Sequence, residues 1–219
     1  YLKEEKGLDV HAVLVQTGGY SHEQLETVRE KAMQLGAVHF EVIDATRDYY
    51  DQCLKYLIFG NVLRNQTYPL SVSAERMFQA LAIVRYANAS GAKYVAHGST
   101  GAGNDQVRFD LAFEVLGNNL EIITPIRDLK LSRQEEIAYL EKHGVSWSWE
   151  KAKYSINQGI WGTSVGGAET LTSDQGLPEE AWPKPATAHE VREVVLGFTH
   201  GEPSSLDGKE FDHPVQLIE

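Results

Sequence analysis

Short apolar runs and helix-patterned stretches alternate along the first two-thirds of the chain, and this alternation constrains the fold more than any other feature. "DVHAVLVQ" from Asp9 reads as a buried strand, followed by Gly18 and Gly19. "SHEQ" then opens a helix, with Ser21 as cap and Gln24 three residues on in capping-box position. That helix is predicted to close at Gly36. "VHFEVIDA" is the next strand, and Thr46 is expected to cap a helix carrying Tyr49, Tyr50, Cys53, Leu54 and Leu57. "SAERMFQALAIVRYANASGA" is a long apolar-faced helix closing near Gly91. "KYVAH" and "LEIITPI" read as strands on either side of the helix "NDQVRFDLAFEVLG". Ser132 with Glu135 is a second capping-box pair, opening "RQEEIAYLEKHG". Strand, helix, strand, helix at this spacing requires crossover connections and a parallel sheet. In such sheets ligands bind beyond the carboxyl ends of the strands.

The pattern changes near Val145. Trp147, Trp149, Trp161 and Trp182 appear, helical periodicity fades, and "REVVLGF" and "KEFDHPVQLIE" read as strands of a more β-rich unit. These shifts predict a boundary near residue 150, between an α/β unit over 1–150 and a second, more β-rich unit over 151–219. "YLKEEKG" reads as the last turns of a helix ending at Gly7, and an opening Tyr1 in place of Met suggests a fragment. The formal charge of −11 argues against a general nucleic-acid or anionic-membrane surface. A single cysteine, Cys53, leaves no intrachain disulfide and fits a reducing cytoplasm. No apolar run approaches the length of a membrane span, and no secretory leader pattern is visible. The histidines form no HxxxH or HxH pair, so a metal site is not expected.

The densest chemistry lies in "AHGSTGAGNDQVR", Ala96 to Arg108, between a strand and a helix. Gly98, Gly101 and Gly103 are expected to take positive φ and let the backbone approach a ligand. Ser99 and Thr100 add hydroxyl donors, and amides at the helix start favour an anion. Arg108, one turn beyond Asn104, suits a carboxylate or phosphate, and Asp105 suits an ammonium or amine. Together they point to a small zwitterion plus a nucleotide. The plainer alternative is a turn with Asn104 as N-cap and Arg108 on the surface; the density of unlike polar groups favours function. The segment lacks the Gly-Lys-Ser/Thr ending of a Walker loop and is not a dinucleotide GxGxxG.

"HGSTGAGNDQVRFDL" strongly resembles the argininosuccinate synthase family, as do "EKAMQLGA", "GAKYVAHG" and "YSINQGIWGTS", in order and at compatible spacing. The resemblance covers nearly the whole chain and is strongest from Tyr68 to Ser164. It implies an α/β fold: a Rossmann-like parallel sheet of the adenine-nucleotide α-hydrolase type, followed by the start of an α+β synthetase domain. It implies a ligase of arginine biosynthesis that joins citrulline to aspartate with ATP and Mg2+ and releases AMP and pyrophosphate through a citrullyl-adenylate. It also implies a cytoplasmic homotetramer.

Carried over by matching motif, Tyr68 and Ser73 in "TYPLSVSAER" correspond to citrulline-holding positions. Gly98 lies in an ATP-lining segment, and the backbone of Val15 corresponds to an adenine contact. Thr100, Asn104 and Asp105 correspond to aspartate-holding positions, with Asn104 also facing citrulline; Asn104 and Asp105 are the expected catalytic pair. Arg108, Ser155 and Ser164 correspond to further citrulline contacts. Each has a plainer role as well: turn packing for Tyr68, a helix cap for Ser73, core for Val15, loop serines for Ser155 and Ser164.

The chain also departs from the family pattern. A Ser-Gly-Gly-x-Asp-Thr/Ser pyrophosphate loop, expected upstream of "YLKEEKG", is not in these residues, nor are a glutamate and a tyrosine expected beyond Glu219. Ala102 stands where the family often has lysine. Rival readings are another ATP-pyrophosphatase such as a tRNA-thiolating or amidating enzyme, a stress-protein type nucleotide-binding module, and an inactive piece of a synthetase.

Overall fold

The computed structural model describes residues 1–101, 103–146, 154–184, 187–188 and 190–219. The elements follow the expected alternation. β1 (His11–Gln16), α1 (His22–Gln34) and β2 (His39–Asp44) form the first crossover, with β1 and β2 parallel and Val15 opposite Ile43. α1 begins as its sequence dictates. Ser21 accepts from the Gln24 amide, Gln24 reaches back to the Ser21 amide, and Gly36 follows at φ 91°. α4 (Ser71–Ser90) ends at Gly91 with φ 70°, and leads to β3 (Tyr94–Ala96). α5 (Asp105–Leu116) and β4 (Glu121–Ile123) complete the second crossover, with β3 and β4 parallel. α6 (Pro125–Leu129) and α7 (Arg133–Lys142) follow, the latter with the predicted Ser132–Glu135 capping box.

Three local expectations are corrected. Thr46 is not a cap: it is the first residue of α2 (Thr46–Tyr49), and its amide and hydroxyl both donate to Asp44 Oδ1, at 2.9 and 2.6 Å. The carboxylate two residues earlier reaches the helix start better than the hydroxyl does. The helix continues as a π-turn over Tyr50–Leu54 and as α3 (Lys55–Phe59). The wider turn lets adjacent Tyr49 and Tyr50 both bury fully beside Leu54, which a 3.6-residue repeat does not favour. "YLKEEKG" forms turns rather than a helix, with bonds from Glu5 to Tyr1 and from Gly7 to Lys3 and with Gly7 at φ 64°.

The expected boundary near 150, with Trp147 and Trp149, lies outside the described residues. Beyond it, β5 (Ser155–Gly159) and β6 (Gly162–Gly166) form an antiparallel hairpin. β7 (Leu196–Thr199), β8 (Glu202–Leu206) and β9 (Lys209–Glu210) form a meander. "KEFDHPVQLIE" is a strand only at its start, because Pro214 opens α8 (Pro214–Ile218) and the His213 ring accepts from the Val215 amide. "REVVLGF" is a strand only from Leu196.

Two apolar clusters hold these pieces. Ala80, Val84, Val95, Ala112 and Phe113 join α4, β3 and α5. Tyr49, Tyr50, Leu54, Ile160 and Val215 join α2 and the π-turn to the hairpin tip and to α8. The parallel strands form two pairs among the described residues, β1–β2 and β3–β4, rather than the one continuous sheet expected. α4 packs against both β1 and β3 and bridges the pairs. Among the described residues no helix is long and apolar enough to cross a membrane.

Candidate active site

The carboxyl ends of β1 and β3, the start of α4 and the β5–β6 hairpin converge on one polar cluster. Its centre is Asp105, the first residue of α5. Asp105 Oδ1 accepts from Arg108 Nη1 at 3.0 Å, and Oδ2 accepts from Arg76 Nε at 3.2 Å. Arg76 also donates Nη1 to Gln79 Oε1 at 2.9 Å and Nη2 to Asn157 Oδ1. Asn157 lies on β5 opposite Ser164 on β6. One guanidinium on α4 thus ties the start of α5 to the hairpin, with Arg76 and Asn157 separated by 81 residues in sequence.

Beneath Arg76, Glu75 is buried at 6% exposure and accepts from Thr17 Oγ1 at 2.6 Å and from Gln79 Nε2 at 2.9 Å, both on Oε1. Burial raises its carboxyl above the usual carboxylate range; Thr17 and Arg76 oppose the shift, and the Asp105 charge adds to it. The turn after β1 is locked to the hairpin. Ile160 donates its amide to the Thr17 carbonyl at 2.8 Å. A Cβ on Gly18 would lie 2.2 Å from Ile160 Cγ2, and Gly18 sits at φ 96°.

The loop after β3 is held by a second network. His97 Nδ1 accepts from the Ser99 amide at 3.3 Å, which assigns the ring proton to Nε2, 2.9 Å from Asp110 Oδ1. Arg127 donates to the other Asp110 oxygen and, at 3.1 Å, to Gln106 Oε1. Gln106 Nε2 closes the loop on the carbonyls of Gly101 and Gly103, at 2.7 and 3.2 Å. Burial favours the neutral form of Asp110, yet the Arg127 and His97 hydrogen bonds prevail and hold it below its ordinary value.

Gly98, Gly101 and Gly103 do not take positive φ, contrary to expectation. A Cβ at any of the three would meet nothing closer than 3.7 Å. The loop turns on side-chain bonds from Gln106, and the left-handed glycines serve the β1 turn instead, at Gly18 and Gly19.

The predicted site residues fall into groups. Asp105 and Arg108 are in direct contact, and Ser164 faces Asn157 across the hairpin. Ser155 is exposed two residues from Asn157, opposite Gly166. Ser73 lies three residues before Arg76 on α4, hence on the same face, and donates to the Leu70 carbonyl at 3.2 Å. Tyr68 stands at the foot of α4, its hydroxyl accepting from the Val72 amide at 3.0 Å. Leu70 between them is left-handed at φ 59°, and Trp161 Nε1 pins Pro69 O at 2.7 Å, so the hairpin also clamps this entry. Asn104 occupies the N-cap position of α5 without a side-chain capping bond, and Gly98 and Thr100 are exposed on the loop. Val15 is buried near the end of β1.

Sequence reasoning missed Arg76, Asn157, Glu75 and Thr17. Only Arg76 carried a signal, its helical spacing from Ser73; the others meet through the fold.

A family description reading "Arginosuccinate synthase N-terminal HUP domain" matches residues 1–146. The chain belongs to the argininosuccinate synthase family. The argininosuccinate synthase of Methanocaldococcus jannaschii is 37% identical over 220 residues, covering 99% of this chain and 55% of that protein. The argininosuccinate synthases of Picrophilus torridus and Staphylococcus epidermidis are 33% and 35% identical, over 97% and 94% of this chain. The chain spans about half the length of these curated relatives. The HUP assignment gives the first unit its nucleotide α-hydrolase class and accounts for the two parallel crossovers.

Proposed function

We propose that this chain carries the citrulline and aspartate sites of an ATP-dependent argininosuccinate synthase, a C–N ligase of arginine biosynthesis. The observation that carries the reading is the Asp105 carboxylate held between two unequal guanidiniums. Arg76 is fixed by Gln79 and Asn157 as well as by Asp105, whereas among the described residues the Arg108 side chain donates to Asp105 alone. Arg108 can therefore turn to a ligand carboxylate while Arg76 stays paired with Asp105. Asp105 then accepts from an incoming ammonium or amine, and Asn104 and Thr100 supply uncharged donors beside it. Ser73, Ser155, Ser164 and Tyr68 complete the citrulline side, and the Val15 backbone with Gly98 lines the nucleotide.

In the proposed reaction the ureido oxygen of citrulline attacks the α-phosphorus of ATP and the bond to pyrophosphate breaks. The aspartate amine then attacks the activated carbon; a C–N bond forms, the amine gives up a proton, the C–O bond breaks, and AMP leaves carrying the former ureido oxygen. The residues contribute position and fixed charge rather than a covalent bond. Among the described residues no cluster of His, Cys, Asp and Glu could cage a metal. In this reading Mg2+ would keep its waters, be held mainly by substrate phosphates and offset their charge. The same reading makes 1–150 the nucleotide-binding domain, 151–219 the start of a synthetase domain, and the working protein a cytoplasmic homotetramer.

The test is calorimetric titration of citrulline into this chain and its Arg108→Ala variant. Loss of one charge-assisted pair should weaken binding by about 10-fold to 100-fold. Equal affinity in the two proteins would overturn the assignment of Arg108.

A further inference from the structure

His97 follows β3 directly and stands at the root of the candidate ligand loop. Its amide bonds the Ile123 carbonyl at 3.2 Å, so its backbone still belongs to the β3–β4 frame. The ring is packed from the side of α5: it stacks on Phe109 with centroids 5.5 Å apart and planes at 26°, and Phe113 lies at 6.2 Å. That packing leaves the two ring nitrogens as its polar edge. Nδ1 accepts from the Ser99 amide at 3.3 Å, a bond that bends the chain over two residues as an Asx-turn does. Nε2 lies 2.9 Å from Asp110 Oδ1, and Asp110 gives its other oxygen to Arg127 of α6. Arg127 reaches Gln106, and Gln106 reaches the carbonyls of Gly101 and Gly103. The circuit leaves the loop at Ser99 and rejoins it at Gly101. Among the described residues the charges that face this ring are Asp110 from α5 and Arg127 from α6, the latter also 3.8 Å from Asp128.

A neutral imidazole carries one N–H and one acceptor nitrogen. A single tautomer, with the proton on Nε2, satisfies Ser99 and Asp110 together. We infer that His97 and Asp110 are positioning residues for the loop that meets the substrates: the Asp110 carboxylate holds the imidazole in this tautomer, and the tautomer shapes the chain from Gly98 to Gly101. Neither side chain needs to touch a ligand. Asp110 acts through His97, and His97 acts through Ser99, whose neighbours Gly98 and Thr100 are exposed on the loop. The inference rests on the substrate reading above, which gives Gly98, Thr100 and Asn104 to the ligands. Replacing Asp110 by asparagine keeps the side chain's shape and reverses its logic. The amide serves both neighbours only with Oδ1 toward Arg127 and Nδ2–H toward His97. Nε2 must then accept, so the ring proton moves to Nδ1 and meets the Ser99 N–H head on. Packing around the ring is untouched by that change, so a role limited to packing predicts no effect at Ser99.

The test compares the wild-type chain with Asp110→Asn, His97→Asn and His97→Phe. Imidazole nitrogen NMR reads the tautomer, amide exchange reads Ser99, and calorimetric titration reads L-aspartate affinity. The wild type should show the Nε2–H form. Asp110→Asn should show the Nδ1–H form, exchange the Ser99 amide about tenfold faster and bind aspartate about threefold to tenfold more weakly, as expected for one lost hydrogen bond. His97→Asn sets Oδ1 where Nδ1 stood, so it should keep the slow Ser99 amide and most of the affinity. His97→Phe, which keeps the stacking, should lose both. Should Asp110→Asn fail to fold, this pair decides the matter. An Nδ1–H wild type, an Asp110→Asn variant that keeps the wild-type tautomer, equal behaviour of the two His97 variants, or a released Ser99 amide with unchanged aspartate affinity would each overturn the inference. A wild type with the expected tautomer and Ser99 responses that binds neither aspartate nor citrulline would overturn the substrate reading instead, and leave the tautomer control of the loop in place.

Discussion

Truncating Ile160 to alanine tests whether the hairpin is held to the nucleotide unit by packing at its tip. Ile160 is 8% exposed and belongs to the cluster of Tyr49, Tyr50, Leu54 and Val215. The change removes three carbons, worth about 0.8 kcal/mol each as transferred area, or roughly 2.4 kcal/mol. A cavity contribution adds to this. The wall on one side is the Gly18 backbone, whose φ of 96° and bonded neighbour Thr17 resist collapse into the space. About 3 kcal/mol is expected, inside the range of about 2–5 for such truncations and equal to roughly 150-fold in the folded-to-unfolded ratio. Urea unfolding should show a lower midpoint at unchanged slope. Ile160→Val should cost only about 1 kcal/mol. A loss below about 1 kcal/mol for Ile160→Ala would refute the packing argument and leave the Ile160 amide to Thr17 carbonyl bond as the main tie. Loosening the tip should also free Arg76 from Asn157, so the alanine variant should bind citrulline more weakly than the valine variant.

Gly18→Ala should destabilise by about 2 kcal/mol or more in thermal melts, since its Cβ meets Ile160 and its φ is left-handed. Gly144→Ala, at φ 77° with open space around it, should lose only about 1 kcal/mol; equal losses would mean that the Ile160 contact is relieved. Glu75→Gln keeps the Oε1 acceptor for Thr17 and Gln79 and removes a buried charge. Because the folded carboxyl titrates above its unfolded value, its contribution to stability is present at low pH and is lost as pH rises through the folded value. The variant should therefore gain on the wild type as pH rises above the ordinary carboxylate range, and parallel urea midpoints across that rise would contradict the assigned burial.

Residues whose partners lie within a turn of the chain were legible in advance. Ser21 with Gln24, Ser132 with Glu135, and Gly36 and Gly91 at helix ends are decided by bonds spanning a few residues, and each occurs as predicted. The crossover pattern was equally readable, because strand and helix periods are local properties of the sequence. The sequence sets Arg108 one turn beyond Asn104, but the structure pairs it with Asp105, three residues away on the same helix.

Other features depended on local geometry and on contacts that no near-neighbour period encodes. Thr46 lost the cap to Asp44, whose carboxylate two residues earlier accepts from both its amide and its hydroxyl. The loop glycines looked like conformational necessities, yet Gln106 and the His97–Asp110–Arg127 network shape that loop. The sequence by itself determined the alternating elements, their caps and the loop that bears the chemistry, since these rest on near-neighbour bonds and hydrophobic period. Only the tertiary structure decided that Arg76 joins Asp105 to Asn157, that Ile160 seats the hairpin, and that α4 bridges the two parallel strand pairs. Those outcomes depend on which surfaces α4 and the hairpin bring together, and no local period encodes a contact across 81 residues.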